Sequence, residues 1–436
     1  MLQPVFEDGA GTRSADPLAL SGPVPVVELS ALALLLAPPA MLGEFAPTAP
    51  WRGIHRVPFT PPTAKPGPLP DAFTAAVAEQ TKDAEAIGVL VSGGLDSLAV
   101  LVHALRVADG RRVIALTTDL ADDTGRGAAN VVRRLLADLG LPAELVVLDP
   151  AVDRAEPVWS AAGPRLDALP QINAAASARA AELGVQVLLS GDGADELLGV
   201  PRFATAAVAR RRGRAAALRY AADVASSGPG LPGEVAALAA RLLPRRARAR
   251  AYWAANWPAW ADPVAPAVLA EPFRRQATDW ARSWVDEQVA GHAAAGRTWA
   301  EADAHDAVFP REAIPSAGIL PESSPFLAEP FLAATLAMPV GERYHPQLPS
   351  AYLRCKAQVV RLLPRHALAV LPRRKQYFTT ALAGQSAAGQ AAPTCVTAGL
   401  IDADALAAEQ DAAVLLVVAA LERWLIGALR HGVEVR

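Results

Sequence analysis

The chain has 436 residues, of which 52% are hydrophobic and 19% are charged. At about 150 residues per domain, this length predicts two or three compact units, and the apolar fraction excludes a disordered chain. Its 41 basic and 44 acidic residues leave a net charge of −3, which argues against wholesale binding of nucleic acid. Two cysteines, Cys355 and Cys395, are too few for a disulfide framework or a structural zinc site, and they favour a reducing, cytoplasmic setting.

The apolar runs of the sequence are too short to cross a membrane. Residues 29–37 end at a pair of prolines, and residues 412–421 are followed at once by Glu422 and Arg423. A membrane-spanning helix needs about 20 apolar residues. The N-terminus also lacks the basic start of a secretory signal. We therefore expect a soluble protein whose apolar runs are buried helices.

In chain order, residues 1–70 are rich in proline and glycine, and their last part, TPPTAKPGPLP, is typical of a linker. From residue 71 onward, short apolar strands alternate with helices. The predicted helices are 71–84, 97–108, 125–140 and 171–184, and the predicted strands are 87–92, 113–118, 144–149 and 185–190. This alternation is typical of βαβ units, and continuous apolar strands indicate a parallel sheet covered on both faces. The rest, 201–436, has no convincing strand and is predicted to be mainly helical.

These patterns predict an α/β fold, with a parallel sheet flanked by helices and a mainly helical C-terminal part. We divide the chain into a short N-terminal region, 1–70, and a main domain, 71–436. Within the main domain, we predict that 71–200 forms the α/β core and 201–436 the mainly helical part. Ligands of parallel sheets bind beyond the carboxyl ends of the strands, where this sequence places two Ser-Gly pairs.

The first Ser-Gly pair belongs to the segment Ser92-Gly93-Gly94-Leu95-Asp96-Ser97. Glycines let a backbone approach a phosphate closely, and the start of the following helix offers free N–H groups. The carboxylate of Asp96 would repel a phosphate, which makes sense if a divalent cation lies between them. The spacing is neither a Walker loop nor GxGxxG, and the alternative interpretation is an ordinary strand–helix turn. The segment resembles the pyrophosphate loop of the ATP-pyrophosphatase (PP-loop) superfamily, which cleaves ATP to AMP and pyrophosphate while activating a carboxylate or similar oxygen.

The second Ser-Gly pair opens the segment LSGDGADELLG, residues 189–199. It resembles the SGxGxDExxxG signature of the synthetase domain of asparagine synthetases, which also occurs in β-lactam synthetases and lasso-peptide cyclases. The resemblance implies a sheet of the adenine-nucleotide alpha-hydrolase-like (PP-loop) type, with 71–200 as the nucleotide-binding core and the substrate groove in 201–436. It further implies Mg²⁺ shared by Asp96 and Asp195 on the phosphates of ATP. It also places Asp192 beside the acceptor, where the carboxylate would orient or deprotonate an amine. The alternative is that Asp192 and Glu196 only cap the next helix.

The resemblance further implies a set of nucleotide-binding residues. They are Val91, Ser92, Gly93, Gly94, Asp96, Ser97, Leu116, Thr117, Gly191 and Lys356.

Two of the four lysines lie in the segment 351–378, which resembles a family stretch of the form K-x-x-L-R, a Leu-Pro turn, and then R-x-K-x-x-F. The resemblance implies that Lys375 stabilises charge when an amine attacks the acyl adenylate, and that Lys356 contacts a phosphate. The alternative is that both lysines are solvated surface residues. The segment 322–327 resembles the family's R-x-P-F-L-D stretch, but the leading arginine is missing and Ala328 replaces the aspartate. We interpret Pro325-Phe326-Leu327 as packing residues.

Asparagine synthetases begin with a glutaminase domain whose nucleophile is the cysteine after Met1. Here residue 2 is Leu2, and residues 1–70 resemble only a remnant of that domain. We therefore expect an acceptor amine that is already part of the substrate, as in β-lactam synthetases and lasso-peptide cyclases. The tryptophans of 253–299 favour the lasso cyclases, although such a cluster is more often a helical core.

The sequence leaves four functions open. The first is ATP-dependent closure of a macrolactam on a ribosomal precursor peptide, with a leader-binding protein and a leader peptidase as partners. The second is the same chemistry on a small molecule, giving a β-lactam or a primary amide from free ammonia. The third is modification of tRNA, suggested by the arginine runs 210–214 and 245–250 but opposed by the net charge. The fourth is a scaffold without activity.

Overall fold

The computed structural model describes residues 4–38, 49–58, 60–226, 230–308, 318–386 and 391–436. Its strands are β1 Phe6–Asp8, β2 Arg13–Ser14, β3 Val26–Val27, β4 Ile54–Arg56, β5 Ala86–Leu90, β6 Arg112–Thr118, β7 Glu144–Leu148, β8 Val187–Leu189, β9 Glu322–Ser323 and β10 Glu434–Val435. Its helices are α1 Leu29–Ala33, α2 Leu69–Thr81, α3 Leu95–Val107, α4 Ala128–Leu139, α5 Pro170–Glu182, α6 Ala194–Leu198, α7 Thr205–Arg212, α8 Arg214–Ser226, α9 Leu231–Ala240, α10 Arg245–Asn256, α11 Phe273–Ala295, α12 Trp299–Asp306, α13 Glu329–Leu336, α14 Ala351–Cys355, α15 Ala357–Leu362, α16 Thr379–Ser386, α17 Pro393–Thr397, α18 Ala403–Ala408 and α19 Ala412–Arg430.

The central sheet is parallel, with the strand order β7-β6-β5-β8-β9. Residues 87–89 of β5 are fully or almost fully buried because helices cover both faces of the sheet. The helix α4 ends where predicted, at Gly140, whose φ of 59° gives the left-handed conformation that glycine adopts at low cost. The predicted α/β fold with a flanked parallel sheet is confirmed.

The structure corrects the strand predictions in two ways. The strands β5 and β8 end at Leu90 and Leu189, so that the residues predicted to finish them belong to the loops. The region predicted to lack strands also contributes β9, which pairs with β8 and adds a fifth strand to the sheet. A strand of two residues is too short to show an apolar period, so the sequence pattern could not reveal it.

The two ends of the chain lie together. β10 pairs with β3 in parallel, and α19 packs against apolar residues of α1 and the turn that follows it, in one cluster with Trp51. β1, β2 and β4 form a separate antiparallel sheet in the N-terminal region. The domain division at residue 70 stays a prediction.

The helix α19 is longer than its apolar run indicated, because it continues through Glu422 to Arg430. Among the described residues it is the one helix whose length and composition alone would suffice to cross a membrane. It is nevertheless partly buried against other parts of the protein, and the carboxylate of Glu422 accepts hydrogen bonds from the backbone N–H groups of Thr394 and Cys395 at 3.0 and 2.9 Å. These contacts are those of a core helix.

The tryptophan-rich region forms a packed core rather than a groove. Trp253 and Trp299 are buried among α10, α11 and α12, and Trp284 packs edge-on against Trp253. The indole N–H of Trp299 donates to the carbonyl of Arg248. This arrangement agrees with the interpretation of the tryptophan cluster as a helical core.

Candidate functional site

The two Ser-Gly loops meet at one edge of the sheet. β5 and β8 are neighbours with Val89 opposite Leu189, so their carboxyl ends release the two loops side by side. A Cβ atom added to Gly191 would lie 2.9 Å from the backbone nitrogen of Ser97 and 3.2 Å from the carbonyl carbon of Asp96. The loops therefore touch backbone to backbone, which only glycine permits at this position.

The first loop is preorganised at the start of α3. The backbone N–H of Ser92 donates to the hydroxyl of Ser97 at 3.2 Å, which closes the loop. Gly93 has a φ of 82°, in the left-handed region. Gly94 is the N-cap of α3, and no side chain caps that helix end. Free N–H groups at the start of a 13-residue helix favour the binding of an anion.

Lys356 joins the two predicted metal ligands. Its ammonium donates to both carboxylate oxygens of Asp96 at 2.7 Å and also contacts the carboxylate of Asp195. The side chain of Lys356 is only 6% exposed, and its backbone forms the N-cap of α15. The alternative of a solvated surface lysine is excluded for this residue.

Lys375 approaches the same cluster from a different segment. Its ammonium donates to Asp195 at 3.1 Å, and 47% of its side chain is exposed. The following residue, Gln376, lies over Gly93, with its side-chain oxygen 3.0 Å from the place of an added Cβ. The carbonyl of Tyr377 accepts from the backbone N–H of Asp123 at 2.8 Å, which ties this segment to the loop after β6.

The charges of this cluster shift each other's pKa. Burial raises the pKa of the Asp96 carboxyl, and neighbouring Lys356 only partly opposes this effect. Burial also acts on Asp195, but the two lysines outweigh it and hold the pKa of that carboxyl below its usual range. Lys375 is desolvated, yet the negative charge of Asp195 leaves the pKa of its ammonium raised.

The residues present fit a magnesium ion. Asp96 and Asp195, which come from different loops, both direct carboxylate oxygens at one ammonium nitrogen, so the two groups already share one cation. Mg²⁺ is commonly bound by one or two carboxylates together with phosphate oxygens and waters. This is the donor set that the two loops provide.

A cavity of about 680 Å³ opens beside these loops. It is lined by the Ser92–Ser97 loop, by apolar side chains that include Leu116, Leu120 and Phe378, and by residues of the second loop, of the segment 165–173 and of β9. Apolar surface and an anion-binding loop in one cavity suit a nucleotide, and the carboxylates of the second loop and β9 offer polar contacts to a second substrate.

Most of the predicted site residues surround this cavity. The lining contains Val91, Ser92, Asp96, Ser97, Leu116, Gly191, Asp192 and Asp195. Gly93 and Gly94 shape the backbone of the first loop, and the two lysines lie behind the carboxylates. Thr117 is buried and does not line the cavity, because side chains alternate along β6 and its neighbours Leu116 and Thr118 take the cavity side.

Asp192 faces the cavity rather than capping the next helix. Its carboxylate accepts from the hydroxyl of Ser190 at 3.1 Å, and α6 has Gly193 as its N-cap with no side-chain hydrogen bond there. The backbone carbonyl of Asp192 accepts from the hydroxyl of Ser324 at 2.6 Å. The capping interpretation is therefore wrong for Asp192.

Sequence reasoning missed the polar group opposite Asp192. Glu322 lines the cavity from β9, and burial raises the pKa of its carboxyl, with the charges of Asp192 and Asp167 acting in the same direction. The guanidinium of Arg165 lies 4.0 Å from Glu322 and 3.3 Å from Asp167. Glu322 preceded a stretch interpreted as packing, and Arg165 lies in no motif, so neither carried a signal of its role. Phe326, within that stretch, is indeed fully buried.

A second polar cluster lies away from this cavity. His292, His305 and Asp306 place ligand atoms within 4.8 Å of one another. The guanidinium of Arg297 approaches Nδ1 of His292 at 3.2 Å, and because a guanidinium can only donate, Nδ1 is the acceptor. The proton of a neutral His292 is then on Nε2, which donates to Asp306. The cluster is a hydrogen-bonded network between α11 and α12.

The comparison with known families agrees with the two loops. The family model described as asparagine synthase matches residues 69–416. The chain belongs to the asparagine synthase family. This confirms the family assignment made from the sequence, whereas the closer resemblance to lasso-peptide cyclases stays a prediction.

The chain is also similar to the tRNA(Ile)-lysidine synthase of Hyphomonas neptunium (strain ATCC 15444). The two are 37% identical over 137 residues, which are 30% of this chain and 34% of that protein. The chain thus spans about a third of the length of that relative. Together, the two matches support an ATP-dependent ligase in general terms.

Proposed function

We propose that this protein is an AMP-forming amide ligase that closes a macrolactam on a ribosomal precursor peptide of the lasso type. A carboxylate of the peptide would attack the α-phosphorus of ATP, forming a P–O bond and releasing pyrophosphate. An amine of the same peptide would then attack the activated carbonyl, forming the amide and releasing AMP. The observation that carries the proposal is the cluster of Asp96, Asp195 and Lys356, which unites the two loops at the mouth of one cavity.

The first step uses the groups around the Ser92–Ser97 loop. Asp96 and Asp195 would hold Mg²⁺, which neutralises phosphate charge when bound. The N–H groups at the start of α3 and the ammonium of Lys356 supply positive charge beside it. Fixed charges of this kind stabilise a transition state because they need no reorganisation during the reaction.

The second step uses the polar groups that the second loop and β9 contribute to the cavity. Glu322 is a partly buried carboxylate with a raised pKa, so it is a stronger base than an exposed glutamate and can take a proton from the attacking amine. Asp192 lies on the same side and can orient that amine. Lys375, which is half exposed and bonded only to Asp195 in the described structure, can stabilise the negative charge that develops on the carbonyl oxygen.

The cysteines support an acceptor amine that belongs to the substrate. Burial raises the pKa of the Cys355 thiol to about 12, and burial also raises the pKa of the Cys395 thiol. A cysteine nucleophile needs a lowered pKa and an accessible thiolate. Neither cysteine of this chain meets that requirement, so glutamine hydrolysis by these residues is not part of the proposal.

The test is a reaction of the purified protein with ATP, Mg²⁺ and the precursor peptide encoded beside its gene. The expected result is AMP and pyrophosphate in equal amounts, and a peptide that has lost one water by mass spectrometry. ATP–pyrophosphate exchange with small amino acids but not with the peptide would instead favour the small-molecule alternative, a β-lactam or an ammonia-dependent amide synthetase. A modified tRNA, the product class suggested by the lysidine synthase relative, would overturn the peptide substrate.

A further inference from the structure

A second, larger cavity of about 950 Å³ lies apart from the site and shares no lining residue with it. One wall is the linker before α2, whose residues 66–70 include three prolines. The floor is apolar and consists of side chains such as Met338, Leu363 and Leu368. The backbone N–H of Lys65 donates to the carbonyl of Ala333 at 2.9 Å, which fixes the linker against α13. We call this cavity the proline groove.

The rim of the proline groove is positively charged. Arg361 and Arg365 line it and are exposed, and in the described part of the chain neither forms an ion pair with a carboxylate. The lining has one acidic residue, Glu342, whose carboxylate is already paired with Arg211. The unpaired charge that the groove lining presents to a ligand is therefore positive.

The arginine run 210–214 reaches this rim. Arg212 donates to the backbone carbonyl of Glu342 at 3.4 Å, and the amide of Gln358 contacts the same carbonyl. The charges of Arg212 and Arg361 also act together on His345 and lower the pKa of its ring, after the larger effect of burial. The fold thus brings Arg212 of α7 next to a groove that α15 and the linker form.

We propose that the proline groove binds an extended, acidic segment of a peptide whose apolar side chains rest on its floor. The apolar floor selects leucine-like anchors, and the unpaired arginines select glutamate or aspartate between them, by charge complementarity. The volume lies at the upper end of the range of about 300–1,000 Å³ that is usual for ligand pockets. That this segment belongs to the substrate rests on the proposed function; the preference for an acidic peptide does not.

The groove is linked to the cluster of Asp96, Asp195 and Lys356 by one short helix, α15. Lys356 is the N-cap of α15, and Val360 and Arg361 near the end of this six-residue helix line the groove. A helix of this length spans about 9 Å. A peptide held in the groove is therefore near the reactive cavity, which raises the local concentration of its reacting part.

The test measures binding without turnover. The probe is a fluorescent, acetylated peptide in which leucine and glutamate alternate around a central proline; a matched peptide carries lysine in place of glutamate. We expect the acidic peptide to bind and the lysine peptide not to bind. The variant R361E/R365E should raise the Kd by about tenfold or more, because two attractions become repulsions. R361Q/R365Q should also raise the Kd, but by less than R361E/R365E does. It provides a second test if the first variant fails to fold.

The control variant is R241E/R246E, which changes the net charge equally at two exposed arginines outside the groove lining. Equal weakening by the control and groove variants, or equal binding of both peptides, would overturn the proposal. A wild-type dimer that dissociates in R361E/R365E, seen by sedimentation, would show that a second copy occupies the groove and would also overturn it. Because binding needs no ATP, a protein that binds the acidic peptide but releases no AMP would refute the proposed function alone.

Discussion

Replacing Gly191 with alanine tests whether the contact between the two loops organises the site. The added Cβ would lie 2.9 Å from the backbone nitrogen of Ser97, while ordinary contact begins at 3.4 Å. The loops must therefore separate by about 0.5 Å. A side-chain rotation cannot relieve this contact, because the crowded atoms of Ser97 and Asp96 include backbone atoms. Both loops also follow buried, hydrogen-bonded strands, which limits how far they can move.

The cost follows from this geometry. Overpacking a tight contact of this kind destabilises a protein by about 1–3 kcal/mol. Asp96 belongs to one loop and Asp195 to the other, so the separation also moves two groups that must hold one cation. Misplacing catalytic groups by about 1 Å costs on the order of 10²-fold in rate, so a shift half as large should cost about tenfold.

The assay combines ATP–pyrophosphate exchange with urea unfolding. Gly191→Ala should lower kcat/KM for exchange by about tenfold and shift the unfolding midpoint downward. The matched control is Gly291→Ala, because Gly291 lies within α11 with nothing within 4 Å of an added Cβ. The control should be more stable by about 0.5–1 kcal/mol and fully active. Normal exchange and normal stability in Gly191→Ala would refute the argument that this contact sets the site.

Gly94→Ala should cost no more than about 1 kcal/mol of stability, because alanine is a poorer N-cap than glycine but its Cβ meets only the Ser92 hydroxyl at 3.4 Å. It should weaken ATP binding in a titration, and unaltered affinity would mean that phosphates do not approach this backbone. Lys375→Ala should keep exchange and lose amide formation, and full cyclisation would remove its assigned role. Glu322→Gln should abolish amide formation. It should also stabilise the protein increasingly as pH rises through the raised pKa of Glu322, because the folded state disfavours that carboxylate; a stability difference independent of pH in urea unfolding would contradict this. Glu422→Leu should cost about 3 kcal/mol by leaving two backbone N–H groups unpaired, while exchange per folded molecule stays normal.

The local features of this protein follow from its sequence alone. Apolar runs and glycine stops predict strands and helices because burial and backbone conformation act over a few neighbouring residues. The motif spacing likewise places Ser92–Ser97 and 190–196 at strand ends, and the family match to 69–416 agrees with it. The family resemblance of these two motifs predicts Asp96 and Asp195 as partners.

The groups that β9 and the segment 165–173 add to the cavity, and the proline groove, depend on the tertiary structure. Glu322 enters the cavity because a two-residue strand joins the sheet edge beside β8, and a pairing so short leaves no period in the sequence. The roles of Arg165 and Arg361 depend on residues that lie far away along the chain. The family resemblance predicts Lys356 as a site residue, but its contact with a carboxylate 260 residues earlier is set by the tertiary structure. Long-range contacts of this kind are fixed by packing, which no local pattern encodes.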